Sequence, residues 1–233
     1  MKDGCILCDH KQFEERLIFE NEHFYLISAP LQINVGSVLL FPKQHIPCLG
    51  DLEKSQLAIA GETIKHIVSA LSEEYNKPVI YEYGDVGTAV KHACLHIVPV
   101  APQTDLYQGL KSDFRIWAQI YSFYALHTIR WRFGNYIFYQ NPEGIITAFI
   151  PISAQTVLWS DFALSHKDQR PFLMPKFAEF LTEVFPKIGP RYLEMILAKT
   201  IEKPGLINLD KTDPELNNER QISTRDQLKK YFT

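Results

Sequence analysis

Short runs of β-forming residues, broken by polar turn formers, fill much of the first hundred positions. "RLIFENEHFYLIS" holds two such runs split by Asn21-Glu22-His23, the pattern of a hairpin. "GSVLLFPKQHI" predicts a third strand, ended by Pro42. From Leu52 to Tyr75 the period changes. Leu57, Ala60, Ile64, Ile67, Val68 and Leu71 recur at spacings of three and four, as on one face of a helix. Asp51 stands where a cap belongs, and "NKP" ends the run. "PVIYEYG" and "KHACLHIVPV" supply two more strands. The order β-β-β-α-β-β, with no βαβ alternation, predicts an α+β fold in which a helix packs on an antiparallel sheet.

Beyond Ala101 the pattern is mixed. "SDFRIWAQIYSFYALHTIRWRF" is aromatic-rich and reads as mixed or helical, whereas "NYIFYQ" and "GIITAFIPI" form a hairpin pattern around Asn141-Pro142-Glu143-Gly144. "SAQTVLWSDFAL", "PKFAEFLTEVF" and "PRYLEMILAKTI" are helix candidates, the last with Pro190 at its first turn. The polar tail from Pro204, punctuated by Pro214, reads as a surface arm. The expected division is a domain over residues 1–105 and a mixed α/β C-terminal extension over residues 106–233.

Composition narrows the function classes. The 233 residues are 46% hydrophobic and 22% charged, ordinary for a globular chain, and no run of about 18 apolar residues suggests a membrane span. The start, "MKDGCILCDHK", lacks the apolar stretch of a secretory signal, so a cytoplasmic location is expected. A net charge of -3 argues against strong polynucleotide binding, while leaving room for one small phosphate ligand. Four cysteines in such a setting read as free thiols or metal ligands.

Two clusters carry candidate chemistry. In "KHACLHIVPV", His92, Cys94 and His96 fall on alternate positions and would line one face of a strand. Just upstream, Gly84 and Gly87 in "YGDVGTAVKH" allow a tight turn that offers N–H groups to an anion. Cys5 and Cys8 form a C-x-x-C pair, which suits a tetrahedral Zn²⁺, a pair of free thiols or a redox couple. His45 and His92 are candidates to complete a zinc site. Cys48 reads as a packed small hydrophobe, His23 as a hairpin residue and His66 as a helix residue. Arg130 and Arg132 in "IRWRF" read as a solvated strand edge or a core contact.

The pieces "CILC", "LIFENEHFYLI", "VGSVLLFPKQHI" and "HACLHIVP" resemble, in order and spacing, the histidine triad (HIT) family of nucleotide hydrolases and transferases. The resemblance covers residues 5–99 and extends through "YIFYQNPEGI" and "PISAQTVLW" to about Trp159. It implies a structural Zn²⁺ held by Cys5, Cys8, His45 and His92. It also implies that the middle residue of the triad attacks the α-phosphate of a nucleotide, and that His96 bonds phosphate or orients the site. Here the middle position is Cys94, where the family has histidine. Gly36-Ser37 stands in place of Gly-His, Ala89 in place of a hydroxyl residue, and only Gln32 or Asn34 is available in place of a ribose-binding carboxylate.

The expected function is therefore a HIT-like nucleotide-binding protein with reduced or altered chemistry. Cys94 and His96 are its catalytic candidates. Gly84, Gly87, Thr88, Phe24, Leu26 and Leu40 are expected around a purine nucleotide or nucleotide conjugate, and a homodimer is expected from the resemblance. An active hydrolase or nucleotidyltransferase is the first alternative, and a protein-interaction module on a HIT scaffold the second.

Overall fold

The computed structural model describes residues 4–84, 91–114, 116–150, 192–201 and 213–232. Eight strands form one sheet: β1 (Leu17–Glu20), β2 (Phe24–Ser28), β3 (Val38–Pro42), β4 (Pro78–Glu82), β5 (Leu95–Pro99), β6 (Trp117–Ile120), β7 (Ile137–Gln140) and β8 (Ile146–Phe149). Their order is β1-β2-β3-β5-β4-β7-β8-β6, with every pairing antiparallel. The sheet runs without a break across residues 105 and 106, because β7 pairs directly with β4. Five helices accompany it among the described residues: α1 (Lys54–Glu74), α2 (Tyr107–Asp113), α3 (Tyr124–Phe133), α4 (Tyr192–Thr200) and α5 (Pro214–Lys229). None is long and apolar enough to cross a membrane.

Both faces of the middle strands are covered. Leu26, Leu40, Leu95, Ile97, Ile80 and Phe138 face α1, whose Leu57, Ala60, Ile64, Ile67 and Leu71 complete that core. The alternate residues face the other way. Val79, Tyr81, Val98, Ile137 and Tyr139 pack with Leu110 of α2 and with Leu193 and Leu197 of α4. Ile27, Leu39 and Phe41 pack under Phe13 and Leu7 of the N-terminal turns. Burial on two sides explains why "VLLFP" and "PVIYE" show no polar alternation, although the sheet is antiparallel.

Three readings of the sequence are corrected here. Asp51 does not cap α1. Glu53 opens the helix, its N–H bonded to the Gln56 side chain at 3.2 Å, while Asp51 pairs with Arg130 of α3 at 2.9 Å. "IRWRF" is helical rather than a strand edge, and leaves Trp131 83% exposed. The described part of the tail is also a helix rather than an arm. Pro214 sits in the first turn of α5, and Asp213 caps it by accepting from the N–H groups of Glu215 and Leu216. The candidate helices at "SAQTVLWSDFAL" and "PKFAEFLTEVF" lie outside the described residues.

A buried polar bond docks α5. Thr224 Oγ1 accepts from the Gly36 N–H at 3.0 Å and donates to Gln32 Oε1 at 3.1 Å. Gln32 Nε2 in turn donates to the Ser37 and Ala29 carbonyls. Thr224→Val would leave the Gly36 N–H and Gln32 Oε1 unpaired in the interior, at a cost of about 2 kcal/mol. For a chain of this size the midpoint of thermal unfolding should fall by about 6 °C. Circular dichroism melting that shows no change would mean α5 is not docked through this bond.

Candidate functional site

Cys5 and Cys8 flank a 3-10 turn, Ile6–Cys8, closed by the Cys8 N–H on the Cys5 carbonyl at 3.1 Å. The turn brings both sulfurs to one side. His45 follows β3 and His92 precedes β5, and these strands are neighbours in the sheet. The Ala93 N–H bonds the Ile46 carbonyl at 2.6 Å, tying the two histidine-bearing segments together. The ligand atoms of all four residues lie within 4.8 Å of one another. His92 Nδ1 is 3.4 Å from Cys5 Sγ and 3.5 Å from Cys8 Sγ, and His45 Nδ1 is 3.2 Å from Cys8 Sγ. His92 Nε2 donates to the Pro42 carbonyl at 2.8 Å, which leaves Nδ1 with its lone pair for a metal. Burial lowers the His92 pKa and favours the neutral, ligating form. The four residues thus form a group that could hold one metal ion.

Cys94 and His96 lie next to it on the sheet face turned away from α1. Cys94 packs against the cluster of Phe13, Ile27, Leu39 and Phe41. Burial pushes its thiol pKa well up, and the Glu82 and Glu194 carboxylates push it further. His96 sits opposite Leu39 of β3 and Tyr81 of β4, and its ring stacks on Tyr81 with centroids 4.9 Å apart. Glu194 of α4 reaches to 3.6 Å from His96 Nδ1 and accepts from the Tyr83 hydroxyl. Burial lowers the His96 pKa, an effect that Glu194 opposes. Beside this group is a cavity of about 170 Å³ lined by Ala29, Pro30, Leu31, Ile33, Leu39, His96 and Glu194. The Tyr81 hydroxyl is buried and has no hydrogen-bond partner among the described residues.

Residues 10–103 match the family model described as the HIT domain. This segment is a HIT domain. Several solved structures are similar to part of the chain. A HIT family protein from Bacillus anthracis is 23% identical, with a TM-score of 0.40 over 44% of this chain and 77% of that one. A Zn-bound histidine triad family protein from Mycobacterium smegmatis is 24% identical, with a TM-score of 0.39 over 44% and 79%. A hypothetical histidine triad nucleotide-binding protein from Sulfolobus tokodaii is 20% identical, with a TM-score of 0.38 over 42% and 70%.

Within the HIT domain, several residues expected around a nucleotide have other work. Phe24, Leu26 and Leu40 are 0%, 0% and 1% exposed in the core beneath α1, so they cannot line an open pocket. Their neighbours Ile27 and Leu39 point to the His96 face instead. Gly84 has φ +57°, and a Cβ there would meet Asn135 Oδ1 at 2.3 Å and the Tyr136 carbonyl at 2.5 Å. Close packing against the Asn135-Tyr136 segment that leads into β7 therefore accounts for that glycine. Gly87, Thr88 and Ala89 lie outside the described residues. Gln32 is consumed by the α5 network, and Asn34 donates to the Pro99 carbonyl at 2.8 Å. Cys48 is fully buried, as expected, and donates to Asp51. Sequence reasoning missed Tyr81, Tyr83 and Glu194. The two tyrosines share a face with each other by alternation, but their partnership with His96 depends on strand register, which leaves no local signal.

Behind the site, Glu82 is a buried carboxylate, 1% exposed, accepting from the Leu49 N–H and the Tyr136 hydroxyl, each at 2.8 Å. Burial raises its pKa from 4.5 to about 7, and the two hydrogen bonds oppose the shift. Between these values the folded chain holds a proton that the unfolded chain has released. The contribution of Glu82 is thus fully favourable below its unfolded pKa and is lost as pH rises through about 7. From pH 4 to 8 the loss amounts to about 3 kcal/mol. Urea unfolding of Glu82→Gln should remove this part of the pH dependence, whatever the substitution does to absolute stability. Parallel pH profiles for the two proteins would count against a raised Glu82 pKa.

Proposed function

We propose that the chain is a nucleotide-binding HIT protein with a structural Zn²⁺ and with reduced or altered nucleotidyl hydrolase or transferase chemistry. One observation carries the reading: Cys94 and His96 stand on one sheet face, next to the four-residue metal group. By the family resemblance, Cys94 takes the attacking position. A neutral imidazole is nucleophilic near pH 7, whereas a thiol must first lose its proton. Contact with Phe13, Leu39 and Phe41 opposes a thiolate at that place. The ligand in this reading is a purine nucleotide or nucleotide conjugate whose α-phosphate lies near His96. A cytoplasmic location accords with four free cysteines, and a homodimer belongs to the same reading.

The donor set suits zinc. With Zn–S near 2.3 Å and Zn–N near 2.05 Å, a tetrahedral site has S···N edges of about 3.6 Å. The three sulfur–nitrogen distances of 3.2, 3.4 and 3.5 Å lie close to that value. Two thiolates would also balance the ion's charge. When bound, the ion clamps the N-terminal turn to the segments carrying His45 and His92, so its role is structural.

Purified protein should therefore contain about one Zn²⁺ per chain by atomic emission. Cys5→Ser and His45→Ala should each release it and lower the melting temperature, because ligation is coupled to folding. Metal-free protein with unchanged melting would remove the zinc assignment.

Calorimetry should detect purine mononucleotide binding in the micromolar to millimolar range. Absence of any binding would favour an interaction module, a role to which the exposed Tyr121 and Trp131 would be suited. Cys94→His should raise hydrolysis of a nucleoside phosphoramidate by about tenfold or more, a change needing only about 1.4 kcal/mol of transition-state stabilisation. If Cys94→Ala instead abolishes a robust parental activity, the thiol is the working nucleophile and the protein is an active enzyme.

A further inference from the structure

The cavity beside His96 is small for the ligand proposed above. Its volume of about 170 Å³ falls below the roughly 300 Å³ at which small-molecule pockets begin. Part of its wall is Glu194, which comes from α4, about a hundred positions from His96 in sequence. The helix is held firmly by other contacts. Leu193 and Leu197 are fully buried against the sheet, the Leu193 N–H donates to the Tyr83 hydroxyl at 2.7 Å, and Tyr192 bonds Asp113 of α2. Glu194 could face solvent at little cost. Instead its carboxylate turns inward, to 3.6 Å from His96 and onto the Tyr83 hydroxyl.

We propose that Glu194 is an internal occupant of the ligand site, its carboxylate standing beside His96 where the phosphate of a nucleotide would sit, so that nucleotide enters only when Glu194 gives way. This rests on the nucleotide-binding reading above. Charge and hydrogen bonding both support it. A carboxylate and a phosphate repel each other in a poorly solvated pocket, so the two exclude each other. The carboxylate is also an incomplete guest. One oxygen accepts from the Tyr83 hydroxyl and the other stands 3.6 Å from His96 Nδ1, too far for a hydrogen bond, while the nearby Tyr81 hydroxyl is left without a partner among the described residues. A phosphate monoester brings three terminal oxygens, one acceptor more than the carboxylate offers to these groups. The site in its present form is thus closed by a ligand mimic that satisfies it only in part.

The test is calorimetric titration of AMP and of adenosine into the full-length protein and into Glu194→Gln, with Glu194→Ala as a second variant. Glutamine keeps an oxygen for the Tyr83 hydroxyl while removing the charge, so the fold should persist, as checked by melting temperature and zinc content. AMP should bind Glu194→Gln about tenfold more tightly or better, since the competent state is no longer suppressed by the carboxylate. Adenosine, which carries no phosphate, should gain much less. Glu194→Ala should tighten AMP at least as strongly. Equal or weaker AMP affinity in both variants, with measurable binding by the parent, would overturn the occupant and leave the nucleotide reading standing. Failure of the parent and both variants to bind AMP would overturn that reading as well.

Discussion

Pairing of β5 between β3 and β4 sets the position of every group in the site. Leu95 lies opposite Leu40, and His96 lies opposite Leu39 on one side and Tyr81 on the other. Side chains alternate along a strand, so a slip of one residue would drive Cys94 and His96 into the α1 core and turn Leu95 and Ile97 out of it. Such a slip is opposed from two directions, because both faces of β5 are covered. Ile97 is held by the helix layer and Val98 by the layer under α2 and α4. The same register carries His92 to the two N-terminal cysteines. The metal group and the histidine face are thus two consequences of one strand pairing.

Much of the chain up to β8 could be read from its pattern. The first hairpin, β3, α1, β4 and the β7–β8 hairpin all follow from period-two or three-four spacing and from turn residues. The face assignment did not follow. Alternation tells which residues share a face, yet both faces of this sheet are apolar, so nothing in "FYLIS" or "VLLFP" says which set meets the helix. Phe24, Leu26 and Leu40 were expected at the ligand for that reason, and they belong to the opposite core. Pro214 misled in a related way. A proline in a polar tail reads as punctuation, although the first turn of a helix is the position where its missing N–H costs nothing.

The four-residue group could be named from the sequence because a C-x-x-C pair places two donors locally, and the family resemblance pointed to His45 and His92 as the other two; the structure brings the four together. Glu194 had no such signature. Its residue type is common, its helix is short, and its meaning depends on a distant contact with His96. Long-range partnership of this kind is invisible to spacing.

The sheet face around His96 owes its character to how its cover is assembled. On the opposite face α1, a helix of 21 residues, lies over the middle strands, joined in that core by Leu126 and Ile129 of α3 and Leu228 of α5. Among the described residues, the His96 face is covered in two pieces, the N-terminal turns over β2 and β3 and the helices α2 and α4 over β4, β7 and β8. These pieces meet over β5, and the seam between them holds Cys94, His96, Tyr81, Tyr83 and Glu194. Polar groups are expensive to enclose unless they are paired, so a seam where neither piece packs fully is where they can be tolerated. One piece carries Cys5 and Cys8 of the four-residue group, and the other is anchored by the packing of Leu193 and Leu197. The two attachments are independent of each other, and each lies at a distance from His96.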